Sequence, residues 1–194
     1  MKKIVAALLC LLILSACGSE EKSADKPYDE VAVGYTLEEA RADGCVVFED
    51  SDITAGQEIW DEFLAQTGAG KSAMVRLVRY HSLPDPQGYA PELYEEIKDE
   101  YPAIYVADLS FDGKVYSLFS IEDGETYSRT YEVLSRFEEA ARNETLRYTS
   151  VVRYVLVHDE GVTWEAIMQG MLSSQSGASI DHWTVYSDYT YKDE

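Results

Sequence analysis

The 194-residue sequence is short of positive charge, cysteine and histidine, and it has no apolar run long enough to cross a bilayer as a helix. Against 36 aspartates and glutamates stand only 16 lysines and arginines, a formal net charge of −20. Such a surface repels nucleic-acid phosphates and anionic lipid head groups, so DNA, RNA and direct lipid-surface binding are excluded as primary roles. The cysteines, Cys10, Cys17 and Cys45, are too few for a disulfide framework, and stability must come from packing. His81, His158 and His182 lack the spacing of a zinc site, so no metal ligand set is expected. The acidic run Glu49, Asp50, Asp52 lacks calcium-loop spacing and reads as a solvated loop. No cofactor fingerprint and no G-x-S-x-G nucleophile elbow is present.

One stretch imitates a phosphate site. Residues 65–72, "AQTGAGKS", match a P-loop except that Ala65 stands where the first glycine belongs. A phosphate cradle needs a strand before its glycines and a helix after them, so that the helix N-terminal amides converge on the anion. Here Ile59, Trp60, Phe63 and Leu64 form a helical stripe before the glycines, and "AMVRLVRY" reads as a strand after them. The order is reversed, and no nucleotide is expected: Gly68 and Gly70 end a helix and Lys71 complements its dipole.

The N-terminus carries the clearest address. Lys2 and Lys3 precede an apolar run from Ile4 to Leu14, the layout of an export leader. It ends in Leu14-Ser15-Ala16-Cys17, which resembles the lipobox of bacterial lipoproteins: an aliphatic residue, two small ones, then a cysteine whose thiol accepts diacylglycerol. Cys10 does not fit, because bulky Leu9 precedes it. The expected organisation is a signal peptide over 1–16, lipid attachment at Cys17, a flexible polar tether over 17–34 and one domain over 35–191. Losing Lys2 and Lys3 leaves 14 basic against 36 acidic residues, a formal charge of −22.

Within the domain, Thr36 and Glu39 have capping-box spacing before a short helix that Gly44 ends. Cys45 to Phe48 reads as a buried strand, Pro91 to Ile97 as a brief helix with proline at its first turn, and Trp164 to Leu172 as an amphipathic helix. "IYVADLSF" and "KVYSLFSI", joined by Asp112-Gly113, predict a hairpin interior to a sheet, with Phe111 facing Lys114 and Leu109 facing Tyr116. Residues 130–146 fit strand and helix alike; a strand ending near Phe137 is preferred. Tyr148 to His158 and Ile180 to Tyr189 read as further strands. With no βαβ alternation and no repeat, the fold class is α+β: one domain, a mainly antiparallel sheet and helices packed on one side. The 15 tyrosines suit half-wet sheet positions.

The order of "YTLEEARADGCVV", the Trp60 helix, "GKSAMVRLVRY", "YVADLSFDGKVY" and "VTWEAIMQGMLSSQSGASIDHWTVY" is similar to small surface lipoproteins of unassigned function from Gram-positive, often gut-dwelling, bacteria. The resemblance implies location and fold class and carries no active site. Two function classes remain. The favoured one is a non-catalytic module, held to the membrane by its lipid, that binds an envelope protein, peptide or small ligand. Its rival is a small envelope hydrolase using Ser176, His182 or Cys45 with a carboxylate brought near by folding. Asp181 and His182 adjoin on a strand and point to opposite faces, which argues against them as a dyad.

Overall fold

The computed structural model describes residues 34–50, 52–122, 125–175 and 177–192. The expected leader, Cys17 with almost all of the expected tether, and Ser176 lie outside the described residues.

The chain opens with helix α1 (Leu37–Ala42), whose start is the expected capping box: Glu39 N donates to Thr36 Oγ1 at 3.2 Å and Thr36 N donates to Glu39 Oε2 at 2.9 Å. Strand β1 (Val46–Glu49) then turns through Asp50 into β2 (Asp52–Ala55), so the acidic loop is the tip of a hairpin. Helix α2 (Gln57–Gly68) follows and strand β3 (Ala73–His81) succeeds it, the order that a phosphate cradle cannot use. Gly56, at the head of α2, has φ +76°, and a Cβ there would lie 2.4 Å from the Cys45 carbonyl oxygen; glycine is required for that approach.

After a 3-10 turn at Pro86–Gly88 and helix α3 (Pro91–Ile97), the chain lays down β4 (Ala103–Phe111), β5 (Tyr116–Glu122) and β6 (Glu125–Tyr131). At Glu132 it leaves this sheet for β7 (Val133–Ala140), β8 (Tyr148–Val157), helix α4 (Trp164–Leu172) and β9 (His182–Tyr191). The six-stranded sheet has the order β2-β1-β3-β4-β5-β6, with only β1 and β3 parallel; the three-stranded sheet runs β7-β8-β9, antiparallel throughout. The architecture is α+β in one domain, mainly antiparallel.

The β4–β5 hairpin is interior, as expected, but its register is two residues longer: Phe111 faces Tyr116 and Leu109 faces Leu118. Asp112 is the cause. Its Oδ1 accepts from Lys114 N at 2.8 Å and Val115 N at 2.9 Å, and its own N–H donates to the Val115 carbonyl at 3.2 Å. Asp112 and Val115 thus close the loop, and the turn is centred on Gly113, φ +100°, and Lys114. A slip of two leaves every side chain on its expected face.

Alternation along β1 and β3 sorts the core. Val46, Val75 and Leu77 face Trp60 and Phe63 of α2, and Leu156 and Val185 of the small sheet complete this cluster. Val47 and Val78 face the other way, against Ala40 of α1, Tyr35 and Cys45, so α1 and α2 cover opposite faces of the large sheet rather than the one side expected. On the small sheet, Val155 and Val157 receive Ile167 of α4.

Candidate functional site

Helix α2 covers part of the inner face of the large sheet, and strand β9 crosses the rest. β9 is an edge strand of the small sheet, and it carries a bulge: Tyr154 pairs with Tyr186, but Val155 pairs with Thr184, leaving Val185 as the extra residue. Val185 is buried, and the irregularity turns neighbouring carbonyls toward the large sheet. There Arg79 of β3 donates from Nη2 to the Val185 carbonyl at 2.7 Å and the Thr184 carbonyl at 3.1 Å. Its guanidinium lies 4.4 Å from the Trp183 ring centroid and 5.8 Å from that of Phe48. One arginine therefore clamps the two sheets by charge-assisted bonds and ring contacts, the latter worth about 0.5–2 kcal/mol. Aromatics continue the seam: Phe48 to Tyr186 at 5.2 Å, Tyr186 stacked on Tyr154 at 6.4 Å, and Tyr154 edge-on to Trp60 at 5.4 Å.

Three cavities lie along this seam. One of 230 Å³ is lined by Phe48, Asp50, Arg79, His81, Tyr186 and Tyr189, among others. The next, 170 Å³, shares Arg79 and adds Tyr105, Ser120 and Trp183. The third, 260 Å³, shares Ser120 and Trp183 and adds Leu118, Tyr127 and Arg129. Consecutive cavities share wall residues, Arg79 between the first two and Ser120 with Trp183 between the last two, so they line up as a segmented trough along β9 with walls from β1 to β6. Its rim is aromatic: Tyr105 is 52% exposed and Tyr127 40%, and the His81 ring stands 5.6 Å from Tyr105. The Asp50 end is acidic. Burial, then the carboxylates of Asp188 and Asp52, push the Tyr186 hydroxyl up to about 12.

Of the residues expected to carry hydrolysis, Ser176 lies outside the described ones, and Cys45 and His182 sit in different parts of the fold. Cys45 is buried at 1% exposure with its Sγ 3.5 Å from the Tyr35 hydroxyl, inside the α1 cluster. Burial, followed by the hydrogen bonds to Cys45 and Asp43, drives the Tyr35 hydroxyl well above its ordinary range. His182 is half-buried, its Nδ1 2.8 Å from the Ile180 carbonyl. Asp181 turns elsewhere, to His158.

That second constellation has no signature in the sequence. His158 Nδ1 lies 2.7 Å from Glu132 Oε2 and its Nε2 3.1 Å from Asp181 Oδ2, with Arg129 4.0 Å from Asp181. The Tyr131 ring stacks on the imidazole at 5.0 Å. Glu132, then Asp181, raise the His158 pKa, because only the imidazolium donates from both nitrogens. Bonded to a carboxylate through each nitrogen, the ring joins the crossover at Glu132 to the small sheet. Sequence separations of 26 and 23 hide the group, which forms only through the β7–β8–β9 register.

No protein-family model, curated protein or solved structure matches this chain.

Proposed function

We propose that the chain is an envelope lipoprotein, akin to the small surface lipoproteins it resembles, anchored through lipid on Cys17 and presenting a non-catalytic binding module whose working surface is the inter-sheet trough. The observation that carries this reading is the trough itself: an aromatic, partly polar cleft bounded by an edge strand, at a seam between sheets where ligand sites commonly form. The engagement of Cys45 within the core and of His182 with its own chain supports binding over hydrolysis. The anchor rests on Leu14-Ser15-Ala16-Cys17 after a short apolar run.

Two measurements test it. Mass spectrometry of the mature N-terminus is expected to find acylated Cys17, and Cys17→Ala to release the protein from the membrane fraction; an unmodified Cys17 on the wild type defeats the anchoring. Crosslinking and pull-down from the native envelope is expected to recover a ligand with wild type and lose it with Trp183→Ala. Turnover of an ester, peptide or glycan that is lost on replacing Cys45, His182 or Ser176 would defeat the binding reading.

A further inference from the structure

The trough has a length, a polarity and a direction. From Trp183 to Tyr189, β9 advances six residues, about 20 Å at roughly 3.3 Å per residue. Across the sheet the trough passes β1, β3, β4, β5 and β6, four intervals of about 4.8 Å, which gives a similar span. That length matches an extended chain of about six residues. The two ends differ in charge. At the Tyr186 end Asp50 lines the cavity, its carboxylate accepting from Ser82 N at 2.9 Å and Ser82 Oγ at 2.8 Å, and the Asp52 and Asp188 carboxylates act on Tyr186 from beyond the lining. At the Trp183 end stands the Arg129 guanidinium, whose neighbour Asp181 is also bonded to His158. Between them the lining is aromatic, with Ser120 as a polar floor.

From this geometry, and resting on the binding reading above, we infer that the trough binds a short linear peptide of about six residues with both termini free. Its ammonium lies among Asp50, Asp52 and Asp188, its carboxylate lies on Arg129, and its side chains pack on Trp183, Tyr105 and Tyr127. Because β9 runs from the Arg129 end toward the acidic end, the peptide runs antiparallel to it, the sense in which an extended segment adds beside an edge strand. Arg79 occupies the Thr184 and Val185 carbonyls in mid-strand, so a continuous ladder is interrupted there. Recognition therefore falls to the ends and the rings. The whole-chain charge of −20 steers the ammonium end toward the protein.

The test uses the full lipidated chain in detergent and an equimolar random hexapeptide library in four forms: free, N-acetylated, C-amidated and blocked at both ends. Peptides retained by the protein are counted by mass spectrometry. Each block is expected to lower retention roughly five-fold, the effect of losing one exposed ion pair. Arg129→Gln should abolish the sensitivity to amidation only, and Asp52→Asn with Asp188→Asn, which leave Asp50 in place, should weaken the sensitivity to acetylation only. These residues are exposed, so the variants should fold, and circular dichroism checks this. Retention indifferent to both blocks overturns the inference, as does equal retention of tripeptides. Quenching of Trp183 by a non-peptide ligand, with no peptide retained, overturns the inference while leaving the binding reading intact. If no ligand of any class occupies the trough, both fail.

Discussion

Arg76 and Arg79 leave strand β3 on opposite faces of the six-stranded sheet, and the faces they enter differ in what covers them. Arg76 enters the α1 side, is 3% exposed, and forms a two-bond fork with Asp108, Nε to Oδ1 at 2.7 Å and Nη2 to Oδ2 at 2.9 Å. Asp108 faces it across the β3–β4 ladder. The hydrogen bonds to Asp108 hold the Arg76 pKa above its ordinary value, against the opposing effect of burial. Arg79 enters the β9 side, remains half-exposed, and spends its donors on carbonyls and its face on rings. A buried charge paired within one sheet closes the α1 face, whereas a guanidinium bridging two sheets leaves an open seam beside it. The same residue type on one strand thus serves packing on one side and shapes a site on the other.

The largest effect is expected where that pairing is broken in the dry face. Asp108→Ala strands the Arg76 charge and should cost about 3–5 kcal/mol in urea unfolding. The double replacement Arg76→Met with Asp108→Leu should recover most of that loss, since a buried ion pair is worth little over apolar residues of similar volume. If the single change costs under about 1 kcal/mol, the contrast between the faces is wrong.

A smaller and more local effect is expected on the other face. Arg79→Met keeps the stem but loses both carbonyl bonds and the ring contact, about 2 kcal/mol. Amide hydrogen exchange should quicken at Trp183 to Ser187 while Val47 and Val78 stay protected. Uniform quickening would show that Arg79 serves the whole core rather than the seam.

How much of this could be read from residue order follows the same division. The α1 cap, the Trp60 stripe, the interior hairpin and the buried Cys45 depend on neighbours in sequence, and each stands as expected. β2 and β6 escaped because neither shows an apolar alternation long enough to read: β2 has four residues, and in β6 only Tyr131 is buried. The hairpin register slipped because a side chain, Asp112, rather than the backbone alone, closes the loop. Neither the trough nor the His158 group was legible, because both arise from contacts between β9 or β8 and segments far away in the chain. In residue order Trp183 is one aromatic of a terminal strand, and only the meeting of two sheets makes it a wall.

The smallest expected effect lies at the junction of the sheets. His158 has a folded pKa raised above its unfolded value of about 6.5, so its contribution is fully present below that pH and is lost as pH rises through the folded pKa. With His158, Glu132 and Asp181 all about half exposed, solvent screening holds this to about 1 kcal/mol or less. The melting-temperature gap between wild type and His158→Gln should hold below about pH 6.5 and narrow as pH rises above it. An NMR titration should place the His158 pKa above the ordinary value and find it lower in Glu132→Gln. An unchanged titration in that variant would remove the junction from the account.

Photocrosslinking in cells that express the anchored chain decides whether the β9 face, and not the α1 face, meets the ligand. Benzoylphenylalanine replaces Tyr127 on the trough rim in one strain and Leu37 on the α1 side in another. An adduct of defined mass is expected from position 127, abolished by Trp183→Ala, and none from position 37. An adduct from position 37 with none from position 127 would contradict that expectation.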